Sequence, residues 1–119
     1  MKRIKVAEAA GKVLDWMVAK CEGAQGWEPY YPDPFEGYGF GPVYTPYPYS
    51  SDWAQGGPIV EREKISIRQW TNMPIVHAYM PIDGAEWSSD GGLPLVAAMR
   101  CFVASKLGGE VDVPEELLT

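Results

Sequence analysis

Cysteine is scarce in this chain of 119 residues, and histidine scarcer: Cys21, Cys101 and His77 are the whole supply. Two cysteines eighty positions apart make neither a disulfide framework nor a metal-ligand spacing, so the simplest expectation is a reduced, cytosolic protein. Long hydrophobic runs are missing too. No stretch approaches the ~18 apolar residues of a membrane span, and the basic start Met1-Lys2-Arg3-Ile4-Lys5 leads into no signal-peptide core. Positive charge is also short, 10 basic against 16 acidic residues for a net of −6. A chain of that sign is repelled by phosphate backbones and anionic lipid, which argues against a membrane role or general nucleic-acid binding. A local pocket for a small anion survives that argument.

What is present fits one globular domain over residues 1–119, with 46% hydrophobic and 22% charged residues. Ala10, Val13, Leu14, Met17, Val18 and Cys21 recur at helical spacing and predict a helix over 7–22, stopped by Gly23. Lys12, Asp15, Trp16 and Lys20 fall off that stripe, and Cys21 reads as a small buried hydrophobe. Ile4 to Val6 is short enough to be an edge strand or a staple for the helix entry. A second helix is predicted over 94–107, opened by Pro94 and closed by Gly108, with Leu95, Ala98, Met99, Phe102 and Val103 inward. Between the helices, Ile59 to Arg62, Ile65 to Trp70 and Met73 to Met80 read as strands, and Val111 to Val113 as a last short one. Asp83-Gly84 marks a turn, and Trp87 to Gly92 a loop. The expected fold is α+β: a small antiparallel sheet with two helices packed on one face.

Residues 23–51 interrupt this scheme. Ten of the fifteen aromatics lie from Trp27 to Trp53, interleaved with six prolines. Prolines at that density exclude a helix and disfavour a long central strand, while so many rings resist disorder. The segment is expected to be an ordered, irregular aromatic and proline-rich excursion. Its tyrosines either cover the core or line a pocket for a planar ligand. Unpaired aromatic surface also favours a homo-oligomer.

Catalytic patterns are thin. His77 sits in a strand-like run without a sequence neighbour, and Ser50, Ser51 and Asp52 form no nucleophile elbow. Asp83, Glu86 and Asp90 match no calcium or zinc pattern, and no phosphate loop or dinucleotide fingerprint occurs. No catalytic residue, metal or cofactor is therefore assigned. The one mixed cluster is Ser51-Asp52-Trp53-Ala54-Gln55-Gly56-Gly57-Pro58. Trp53 offers a stacking face, Ser51, Asp52 and Gln55 offer hydrogen bonds, and Gly56 and Gly57 allow close backbone approach. With Tyr47, Tyr49, Arg62 and Arg100 these form a candidate ligand-binding set, the arginines facing a phosphate. The competing interpretation is that Asp52 caps a turn, Trp53 fills the core and the glycines bend the chain.

Three blocks carry a resemblance: Leu14 to Lys20, Ser51 to Glu63, and Pro94 to Gly108. Together they resemble the NinX-like family of small tailed-phage and prophage accessory proteins, a family of unknown function. Leu93 stands where threonine is expected, which weakens the second helix's cap, and Ser51 replaces a threonine conservatively. The resemblance implies action in the host cytoplasm, against a defence system or a host regulator. Two roles follow as expectations. One is non-catalytic sequestration of a planar, phosphate-bearing ligand, such as a nucleotide-derived defence signal, by a homo-oligomer. The other is a protein–protein interaction module that inhibits or redirects a host protein; a small hydrolytic enzyme is a distant third.

Overall fold

The structure, a computed structural model, describes residues 1–30, 43–69, 72, 75–80, 86–90 and 93–118. The middle of the aromatic excursion, including Tyr31, Phe35, Tyr38 and Phe40, and the Asp83-Gly84 turn lie outside the described residues.

The architecture is α+β, with three α-helices and three antiparallel strand groups among the described residues. At its centre is α3, Pro94–Leu107. Leu95, Ala97, Ala98, Met99, Cys101, Phe102 and Val103 are all buried. A helix apolar nearly all round must be covered on several sides, and α3 is. One side meets a three-stranded sheet of β4 (Ser66–Gln69), β5 (Ile75–Tyr79) and β6 (Glu86–Asp90), ordered β4-β5-β6. Alternation along β5 buries Val76 and Ala78, and Met80 beyond it is buried as well. Other sides of α3 meet α1, Gly11–Glu22, and α2, Trp53–Glu63. Full burial of Phe102 alone contributes on the order of 2–3 kcal/mol.

The chain's two ends pair with each other. Strand β1, Lys2–Lys5, runs antiparallel to β7, Glu110–Val113, with Lys2 opposite Val113 and Lys5 opposite Glu110. Arg3 reaches Glu110 at 3.4 Å and Asp112 at 3.2 Å across that pair. Val111 and Val113 of β7, with Val6 just past β1, join the main core.

Five expectations need correction. The third helix, α2, stands where a loop and the strand Ile59 to Arg62 were expected. Asp52 caps it by accepting the Ala54 N–H at 2.9 Å, and an exposed Pro58 costs only one hydrogen bond, to the equally exposed Ala54. It ends at Lys64, held at φ 56°, with the Ile65 N–H reaching back to the Val60 carbonyl at 3.0 Å. Trp87 to Asp90 of the expected Trp87 to Gly92 loop belong instead to strand β6. The expected single sheet carrying two helices is three separate strand groups, with α3 the helix that packs on the larger one. Finally, the excursion is not irregular at its edges: β2, Trp27–Tyr30, pairs with β3, Val43–Pro46. The expected helix over 7–22 is shorter than predicted, since Val6–Glu8 forms a separate 3-10 turn.

Candidate functional site

The candidate residues gather around α2, and the reason begins on α1. Asp15, expected off the buried stripe, is 8% exposed, and its Oδ1 accepts the Ser50 backbone N–H at 2.8 Å. Burial pushes its carboxyl above the usual carboxylate range, while hydrogen bonds from the Ser50 side chain and backbone partly offset the rise. This bond fixes the segment leading into α2. Within it, the Ser51 and Asp52 N–H groups both bond the Pro48 carbonyl, and Tyr47 meets Tyr49 edge-on at 5.9 Å.

Tyr49 is buried, and its carbonyl sits against Gly56. A Cβ at position 56 would lie 2.3 Å from that oxygen and 2.7 Å from Leu95 Cδ1, so only glycine lets α2 approach this closely. Burial pushes the Tyr49 phenol up to about 12, with Glu22 and Tyr47 adding to the shift and Arg62 opposing it. Of the proposed set, then, Gly56 and Tyr49 serve packing. Gly57 is roomier, since a Cβ there would meet Trp53 Cε3 at an ordinary 3.7 Å.

Asp52 is a helix cap, as the competing interpretation held, but Trp53 does not fill the core: it is 53% exposed on the first turn of α2. Ser51 is exposed beside it and Gln55 half-buried.

The two arginines are already engaged. Arg62 donates through both terminal nitrogens to Glu22, one bond at 3.1 Å, and through Nε to Glu63 at 3.1 Å. Lys106 closes the set on Glu63 at 3.1 Å, and both cations lie over the Phe102 ring. Burial alone would raise the Glu63 carboxyl, but Lys106 and Arg62 hold it below its usual value. Arg100 lies apart on α3, and its Nε donates to the Ala9 carbonyl at 2.7 Å. Burial lowers its pKa from the usual guanidinium value. The structure thus brings Tyr47, Tyr49, Ser51, Asp52, Trp53, Gln55, Gly56 and Gly57 into one continuous turn-and-helix unit. Arg62 faces away from Trp53 toward α1 and α3, and Arg100 belongs to a different contact.

Sequence reasoning passed over Asp15, Ser50 and Glu22, which hold this unit in place. A second aromatic pair lies on α1, where Trp16 meets Trp27 edge-on at 6.5 Å and Lys20 stands 5.4 Å from the Trp16 ring centre. An open cavity of about 330 Å³, lined by Met1, Pro114, Glu115 and Glu116, shares no residue with the α2 unit. Among the described residues no group of histidine, cysteine and carboxylates is arranged to hold a metal, and no helix is long and apolar enough to cross a membrane.

These features define a small α+β protein whose most exposed aromatic helix residue sits on a tightly braced helix start. The family model described as Bacteriophage P22, NinX matches residues 5–106, and the chain belongs to that phage protein family. No curated protein sequence matches the chain.

Proposed function

We propose that the chain acts by binding rather than by turnover, as a phage accessory protein that inhibits or redirects a host protein in the host cytoplasm. The observation that carries this is Trp53, more than half exposed at the start of a helix whose position is fixed from below by Gly56 and from the side by Asp15. Tryptophan is enriched among binding anchors, and one held on a rigid frame buries large area at little entropic cost.

The second reading is sequestration of a planar, phosphate-bearing ligand such as a nucleotide-derived defence signal, by a homo-oligomer. The Trp53 ring supports it as a stacking face, with Ser51, Asp52 and Gln55 as hydrogen-bonding groups beside it. The engagement of Arg62 by Glu22 and Glu63 favours the protein reading, since a phosphate would have to displace two carboxylates to use that cation.

Pull-downs from host lysate with wild type and Trp53→Ala in parallel, beside native mass spectrometry of the purified protein, test both. A stoichiometric host protein that Trp53→Ala fails to retain is the expected result. A retained small molecule of nucleotide-like mass, lost in the same variant, would put the sequestering role first. Equal behaviour of the two proteins in both assays would overturn the assignment of this surface.

A further inference from the structure

Helix α1 turns a basic and aromatic stripe outward. Lys12, Trp16 and Lys20 recur at i, i+4 and i+8, so they follow one another along one side of the helix, the lysines about 12 Å apart with the tryptophan between them. Both lysines are exposed and Trp16 is half-buried. Lys20 Nζ stands 5.4 Å from the centre of the Trp16 ring, so one face of that ring is open to a group approaching from solvent. Trp27 adds a second half-buried ring, edge-on to the first at 6.5 Å. Its place is fixed by its neighbour. A Cβ on Gly26 would lie 2.5 Å from the Ala19 carbonyl oxygen of α1, and the Gly26 carbonyl accepts the Tyr47 N–H at 3.3 Å.

Charge is sorted by side on this helix. Its two carboxylates are engaged elsewhere: Asp15 turns inward to Ser50, and Glu22 is held by Arg62. Among the described residues neither Lys12 nor Lys20 is held in an ion pair, and Glu8, exposed in the turn before α1, reaches neither. The α2 unit is the reverse case. There the tryptophan is exposed, but Arg62 is taken by Glu22 and Glu63, and Arg100 donates to the Ala9 carbonyl.

Resting on the sequestering reading above, we propose that Lys12, Trp16, Lys20 and Trp27 form the site for a nucleotide. Its base stacks on the open face of Trp16 against the edge of Trp27, and its phosphates are met by Lys12 and by Lys20 swung off the ring. Every base offers a flat π face to an aromatic side chain, and lysine N–H groups form charge-assisted bonds with phosphate oxygens. A protein segment fits this patch less well, since neither ring stands clear of the surface as Trp53 does. The chain's net charge of −6 opposes a long nucleic acid, which must cross the acidic surface around the stripe. A ligand small enough to lie within two helical turns is screened from most of that charge.

The test is isothermal titration of the full chain with ADP, GDP, CDP and UDP, and with adenosine and inorganic pyrophosphate as the two halves of the ligand. Wild type is compared with Lys12→Ala, Lys20→Ala, Trp16→Leu and Trp53→Ala, with circular dichroism as the check on folding. At least one nucleoside diphosphate should bind, more weakly as salt rises, and adenosine and pyrophosphate should each bind about 10-fold more weakly or worse. Each lysine substitution, at an exposed position, should weaken the nucleotide roughly 3- to 10-fold. Trp16→Leu keeps apolar bulk but removes the ring face, and should weaken it about 10-fold or more. Trp53→Ala should bind as wild type does. A nucleotide lost with Trp53→Ala and indifferent to the lysine variants would overturn this site and leave the sequestering reading standing. Pyrophosphate binding as tightly as the nucleotide would reduce the stripe to a patch of charge and overturn the site as well. Wild type that takes up none of the four diphosphates would overturn both.

Discussion

The backbone N–H of Ser50 donates to the carboxyl of Asp15 at 2.8 Å, across 35 residues of sequence, inside a region that excludes most water. The bond ties α1 to the turn that launches α2. Asp15→Ala should cost about 1–3 kcal/mol in urea unfolding, because it leaves a buried donor unsatisfied. Asp15→Asn, which keeps an acceptor, should cost less. Wild type and Asp15→Asn should also diverge with pH. The folded-state pKa of Asp15 is raised above 3.8, so its favourable contribution is complete below that value and is lost as pH rises through the folded pKa. The asparagine variant therefore gains on wild type as pH rises above about 4. A pH-independent gap between the urea midpoints would show that burial does not dominate at this carboxyl.

Adjacent glycines should respond oppositely to alanine. Gly56→Ala forces a Cβ to within 2.3 Å of the Tyr49 carbonyl and should destabilise by about 1–3 kcal/mol or more, outweighing the propensity gain. Gly57→Ala meets only the edge of the Trp53 ring at 3.7 Å and should stabilise by roughly 0.5–1 kcal/mol. Thermal melts of the pair decide it, and a gain in both would mean that α2 does not sit as close to Tyr49 as described.

Both thiols should be slow. Burial pushes Cys21 and Cys101 up to about 11, with Glu22 adding to the shift at Cys21. At pH 8 only about one thiolate in a thousand forms, so a disulfide reagent should label the native protein far more slowly than the urea-unfolded one. Labelling should accelerate about tenfold per pH unit up to that range. Cys101, fully buried, should lag behind half-buried Cys21.

Removing the guanidinium of Arg62 strands Glu22, 12% exposed, and leaves Glu63, 16% exposed, with Lys106 alone. Arg62→Ala should cost about 1–2 kcal/mol at pH 7, between the values for exposed and buried pairs. Because Glu63 is held below 4.5, its contribution is present above that pH and is lost as pH falls through the lowered value. The cost of Arg62→Ala should shrink correspondingly in acid, measured as chemical-denaturation midpoints at pH 7 and pH 3.

How much of this was legible in the residues varies with the range of the interaction involved. Helix α3 was readable end to end, because Pro94 and Gly108 bracket a run whose apolar character is local. Helix α2 was not, because Gly56, Gly57 and Pro58 in succession resemble a break. Two local cues pointed the other way. Asp52 and Gln55 have capping-box spacing, and Gly56, Ile59, Val60 and Glu63 lie on one helical face once glycine is counted as an inward residue. The burial of Asp15 had no cue of either kind. Its partner lies 35 residues away and is a backbone group, which every sequence supplies. The engagement of Arg62 by Glu22 is equally remote, 40 residues along the chain, so its nomination for a phosphate could be weighed only once α1 and α2 were seen together.

The pairing of Lys2 with Val113 has a kinetic consequence. It joins positions 111 residues apart (113 − 2), so the loop it closes includes both helix pairings and the larger sheet. The entropy of closing such a loop is recovered only after the intervening chain has condensed. The terminal ribbon should therefore form late, and substitutions at Ile4 or Val111 should quicken unfolding while leaving the folding rate almost unchanged.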